Sequence, residues 1–90
     1  PDSRSKEVDF VVCNQNRAVE LVQVAFEIDK PKTFARETSS LVKASALLRC
    51  DKLTLVAFSP SRTEVVDGKE IKIVSVTDWF LKSEDIYGEL

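Results

Sequence analysis

The residues best placed to do chemistry are Asp9 and the strand-like run Leu21-Val-Gln23-Val-Ala25. Side chains alternate along an extended segment, so Glu7, Asp9 and Val11 share one face, as do Leu21, Gln23 and Ala25. A hairpin closed by Gln15-Asn16-Arg17 pairs positions whose numbers sum to 32, which sets Asp9 opposite Gln23. A register summing to 31 sets Asp9 opposite Val22 instead, so the juxtaposition depends on the turn. An acid facing an amide across two strands is the one arrangement here that invites a ligand-holding or catalytic reading. The structural alternative is a polar strand end at the sheet margin.

The elements that must carry this pair are legible from pattern. Glu7 to Cys13 is short, β-branched and strand-like. Asn14-Gln-Asn-Arg17 follows, where Asn tolerates a left-handed turn. Ala18 to Ile28 gives the longest strand signal, with Val22, Val24, Phe26 and Ile28 on one side, and reads as a central strand. Asp29-Lys-Pro31 reads as a helix start with Asp29 as the cap, and the helix runs to about Arg49. Phe34, Leu41 and Leu48 recur at spacing seven, widened by Thr38, Val42 and Ser45. Lys52 to Ser59 is the next strand, so strand, helix and strand form a right-handed crossover with parallel strands. Thr63–Val66 and Lys69–Val76 flank Asp67-Gly68, a hairpin signal. Thr77-Asp78 then caps a short helix, Trp79 to Lys82, whose Trp79, Phe80 and Leu81 dock on the sheet. The expected fold is an α/β sandwich built on one mixed sheet, with residues 7–82 as one domain and 1–6 and 83–90 as tails.

Composition removes several function classes. The 90 residues contain 13 basic and 15 acidic side chains, a net charge of −2, which gives no overall basic footprint. There is no His, which excludes Ser-His-Asp and Cys-His catalysis and His-ligated zinc. The two glycines, Gly68 and Gly88, leave no phosphate-cradling loop. Cys13 and Cys50 lie far apart and read as small buried hydrophobes in a reducing compartment. No apolar run reaches the ~20 residues of a membrane span, and no signal-peptide pattern opens the chain. The expected location is cytoplasmic. A start at Pro1 and the absence of Met suggest an excised fragment.

Taken in order, several segments resemble one family: Glu7-Val-Asp9-Phe-Val-Val; Val19-Glu-Leu-Val-Gln23-Val-Ala-Phe; Asp29-Lys-Pro-Lys-Thr-Phe-Ala-Arg-Glu37 and its helix; Leu53-Thr-Leu-Val; and Val66-Asp-Gly-Lys-Glu-Ile-Lys-Ile-Val followed by Trp79. The family is the C-terminal domain, of unknown function, of predicted bacterial and archaeal AAA+ ATPases. The likeness spans about Glu7 to Lys82 and rests on order and spacing rather than on one motif. It implies a restriction-endonuclease-like fold of the PD-(D/E)XK group, incomplete at its N-terminus: a β-hairpin, crossover helix, parallel strand, second hairpin and short C-terminal helix. In that group an Asp and an acid-x-Lys hold a divalent metal.

Asp9 matches the Asp, making it the one residue with a metal-ligand role to carry over. Gln23 stands where the second acid belongs and Ala25 where the Lys belongs. Magnesium prefers anionic oxygen, and an amide supplies no charge. Loss of a charge-stabilising group costs ~10²–10³ in rate. The resemblance therefore implies a degenerate site with no catalytic residue, and magnesium only if the site is active. ATP is expected on the missing N-terminal ATPase domain, itself the expected partner alongside nucleic acid or another protein. Rescue by other residues is weak: Glu27 lies about 13 Å along the strand from Gln23, and Glu20 points to the other face. Lys32, Arg36 and Lys43 read as a solvated helix face. Asp67 and Gly68 are turn chemistry, and Trp79 reads as core. The leading expectation is a non-catalytic accessory domain. The alternatives are a metal-dependent nuclease with a rearranged site and a structural assembly domain.

Overall fold

The computed structural model describes residues 8–87. Two hairpins, each closed by two residues in the left-handed region, frame the fold. In the first, β1 (Phe10–Asn14) and β2 (Arg17–Val24) run antiparallel around Gln15 and Asn16, with φ of 55° and 67°. Positive φ at both central residues matches the right-handed twist of the flanking strands. The turn therefore has two residues, not the three expected. Asn14↔Arg17 and Cys13↔Ala18 sum to 31, yet Val12↔Glu20 and Phe10↔Val22 sum to 32. Val19 is the extra residue: a bulge there changes the register between Cys13 and Val12. Both registers are thus realised, and the one that governs Asp9 sums to 32.

From β2 the chain crosses through α1 (Pro31–Leu48) to β3 (Leu53–Ala57), which lies parallel to β2 as the crossover pattern requires. The second hairpin joins β4 (Arg62–Val66) and β5 (Lys69–Ser75) at Asp67 and Gly68, with φ of 51° and 77°. The sheet has five strands in the order β1-β2-β3-β5-β4, with β3 parallel to both neighbours. The fold is a mixed α/β sheet with two helices. β3 is the middle strand and is buried along its whole length; β2, expected to be central, lies one strand in from the β1 edge. β1 starts at Phe10 rather than Glu7, and β2 stops at Val24 rather than Ile28.

The core lies between α1 and one sheet face. Leu21, Leu41, Leu55 and Ile71 are wholly buried there, with Ile28, Ala44, Cys50 and Ile73 around them. On α1 the seven-residue stripe holds in its middle and fails at its ends. Thr38, Leu41 and Ser45 are buried, Phe34 is half-buried and Leu48 is exposed. Thr38 and Ser40 tolerate burial because each hydroxyl bonds back to the carbonyl four residues earlier, Phe34 O at 2.8 Å and Arg36 O at 3.2 Å. The helix N-cap is Lys30, not Asp29, and no side chain caps it; Pro31 opens the first turn. Arg49 ends the helix in the left-handed conformation, and the Cys50 amide donates to Ser45 O at 3.2 Å.

The second helix, α2 (Val76–Tyr87), is longer than the expected Trp79–Lys82 and absorbs most of the expected tail. Its cap is Ser75, whose Oγ accepts from the Asp78 amide at 3.0 Å; no Gly or Pro follows before Gly88 to stop it. Of the three apolar residues expected to dock on the sheet, Trp79 is half-buried while Phe80 and Leu81 are exposed. The cysteines part company as well: Cys50 is buried, but Cys13 is exposed because β1 is an edge strand. Glu7 and the expected tails at 1–6 and 88–90 lie outside the described residues. Among the described residues no helix is long and apolar enough to cross a membrane.

Candidate functional site

Asp9 and Gln23 meet, and the way they meet explains why β1 ends where it does. One step beyond the last ladder pair, Phe10↔Val22, the side chains take over the pairing. The Asp9 amide donates to Gln23 Oε1 at 3.0 Å, and the Val24 amide donates to Asp9 Oδ2 at 2.8 Å. Two side-chain acceptors thus stand where carbonyls of a continuing ladder would stand.

Gln23 is buried at 7% exposure, and its other end is also committed. Its Nε2 donates to Glu37 Oε1 on α1 at 2.5 Å, and Arg36 Nε reaches Glu37 Oε2 at 3.3 Å. The amide therefore bridges the start of the hairpin to the crossover helix. A glutamine suits this position because it offers an acceptor to one neighbour and a donor to the other. A glutamate there would set two carboxylates against each other. Among the described residues, no buried side-chain nitrogen or oxygen lacks a partner.

Glu37 is the residue that the sequence reading did not weigh as part of a site. The signal was present in the helix phase: Glu37 lies three residues after Phe34 and four before Leu41, on the stripe that faces the sheet. Of the three basic residues on α1, Arg36 reaches the site through its ion pair with Glu37, at 68% side-chain exposure against 14% for Glu37. Lys32 and Lys43 are exposed.

The remaining candidates disperse. Ala25 is half-buried and packs against the core, and its amide donates to Val56 O at 2.9 Å. Glu20 faces the other side of the sheet, where its Oε2 accepts from Thr54 Oγ1 at 2.9 Å and its Oε1 lies 3.9 Å from Lys52 Nζ. Glu27 pairs with Lys30 at 3.0 Å in solvent. That contact holds the Lys30 ammonium above its usual range, first through the hydrogen bond and then through the charge. Asp67 and Gly68 form the β4–β5 turn.

In chemical terms the site offers one exposed carboxylate, one buried amide with both ends engaged, and a second carboxylate held by that amide and by an arginine. Among the described residues no group of three or more Asp, Glu, Cys or His side chains is arranged to hold a metal. Clefts among the described residues lie elsewhere. One of about 460 Å³ opens between Lys72, Thr63 and the first turn of α2. Another, of about 390 Å³, lies at the ends of β2 and β3, beside the stacked rings of Phe26 and Phe58, whose centroids are 4.7 Å apart. Comparison with known protein families, curated proteins and solved structures found no match.

Proposed function

We propose that this domain is a non-catalytic accessory module of a larger ATPase, built on a restriction-endonuclease-like frame whose metal position has been given over to structure. The observation that supports this reading is the Gln23 amide, which spends its acceptor on the Asp9 backbone and its donor on Glu37. A metal at this point would have to displace both bonds and would gain a neutral ligand in return. Ala25 adds no cation to stabilise a phosphorane. ATP belongs to the upstream ATPase domain in this reading, and the module works by contact with nucleic acid or protein. The edge strand favours protein at that margin: Phe10, Val11 and Val12 are all exposed, and Phe10–Asn14 carries no charge.

A second reading, a metal-dependent nuclease with a rearranged site, draws on one observation. Glu37 is a second acid, joined to Asp9 through a single side chain. Rotation of Gln23 would let the two carboxylates share an ion. Incubation of the chain with plasmid and single-stranded substrates in magnesium or manganese separates the readings. The accessory reading expects no cleavage at any metal concentration. Cleavage lost in both Asp9→Ala and Glu37→Ala establishes the nuclease instead.

A further inference from the structure

The sheet face turned away from α1 carries the cleft of about 460 Å³, between the β3–β5–β4 surface and the start of α2. Pairing register builds its floor. Lys72 on β5 stands directly opposite both Thr54 on β3 and Thr63 on β4, so a Thr-Lys-Thr row crosses three strands on one face. The two lysines that line the cleft differ in charge environment. Lys52 lies 3.9 Å from the Glu20 carboxylate, whereas Lys72 has no anionic partner among the described residues.

The rim is organised by hydrogen bonds. Ser61 Oγ donates to Asp78 Oδ2 at 2.6 Å and accepts from the Ser75 amide at 2.9 Å. The Asp78 amide in turn donates to Ser75 Oγ at 3.0 Å. These bonds tie the first turn of α2 to the loop before β4 and hold Trp79, half-buried, at the cleft wall. An ammonium with no anionic partner among the described residues, hydroxyls beside it and an indole on the wall are the parts a phosphorylated aromatic ligand requires.

We propose that this cleft binds a nucleoside phosphate. The base lies against the Trp79 ring, and the phosphate is held by Lys72, with Lys52 and Thr63 beside it. Asp78 keeps one carboxylate oxygen for a sugar hydroxyl. The net charge of −2 limits the length of the ligand, since no basic stripe follows a long phosphate backbone. The recognised unit is one nucleotide, presented free or at an accessible position of a single strand.

Trp79 is the only tryptophan in the chain, so its fluorescence reports the cleft directly. The chain is titrated with a nucleoside 5′-monophosphate, the matching nucleoside, inorganic phosphate and a short single-stranded oligonucleotide. The nucleotide should quench the emission saturably, and the bare nucleoside should bind at least tenfold more weakly. Lys72→Ala should weaken nucleotide binding at least tenfold, Lys72→Arg should retain it, and Lys32→Ala on α1 should leave it unchanged. Far-ultraviolet circular dichroism verifies that each variant is folded. A free nucleotide matching the oligonucleotide in affinity identifies the free form as the source, and a tenfold tighter oligonucleotide identifies the single strand. Absence of saturable quenching, equal binding of nucleoside and nucleotide, or indifference to Lys72→Ala overturns the proposal.

Discussion

Replacing Gln23 by glutamate removes a donor and adds a charge at one buried point, and the structure sets the size of the effect. Gln23 Nε2 donates to the Glu37 carboxylate at 2.5 Å from a position only 7% exposed. A hydrogen bond to a charged acceptor contributes ~1.5–3 kcal/mol. In the variant two carboxylates face each other, so one must hold a proton or the pair must separate. A total loss of about 3 kcal/mol is expected, a large share of the stability of so small a domain. At ~4–8 °C per kcal/mol for this size, the melting temperature should fall by about 10–25 °C at pH 8. Magnesium or manganese should restore part of the loss in Gln23→Glu and none in wild type, since the added carboxylate completes an anionic oxygen set with Asp9 and Glu37. Thermal melts of both proteins at pH 8, with and without metal, measure both effects. Equal melting temperatures at pH 8 without metal would refute the claim that the amide bridge holds the hairpin to α1.

Three further outcomes are expected. Ala25→Lys should cost about 1–3 kcal/mol in denaturant melts, because Ala25 packs against the core; a neutral effect would mean the position opens on a cleft. Gly68→Ala should cost ~1–2 kcal/mol in the same assay, wholly from its φ of 77°, since nothing lies within 4 Å of an added Cβ. Asp51 sits below the usual carboxylate range, chiefly through its hydrogen bond to Lys69 and then through that charge. A depressed folded value means the contribution is present above the unfolded carboxylate range and disappears as pH falls through the folded value. Asp51→Asn should therefore melt slightly below wild type at pH 7, with the two converging in acid. A difference that persists to low pH would contradict this.

How much of this was legible depended on whether the signal was local. Asp67-Gly68 and Asn16 announced their turns because positive φ is a property of the residue itself. The parallel crossover followed from a strand, a long helix and a strand. The Asp9–Gln23 pairing was readable because strand alternation is strict, although only the bulge at Val19 reconciles a two-residue turn with that register. Glu37 escaped because its role depends on helix phase and on an amide fourteen residues away. The cap of α2 was misplaced because Thr77 and Asp78 look as capable as Ser75, and only the fold decides among adjacent candidates. Phe80, Leu81 and Cys13 were expected inside because apolar composition does not say whether another surface lies opposite. That partner depends on strand order, which no single segment encodes.

In the function proposed above, Gln23 occupies, as structure, the position where a restriction-endonuclease-like site would hold a metal. Paramagnetic manganese titrated into the isotopically labelled chain tests it residue by residue, since a bound ion broadens nearby amide signals. No saturable broadening is expected at Asp9, Gln23, Val24 and Glu37 in wild type, and it should appear at those four residues in Gln23→Glu. Saturable broadening centred on them in the wild-type chain, abolished by Asp9→Ala, would contradict this.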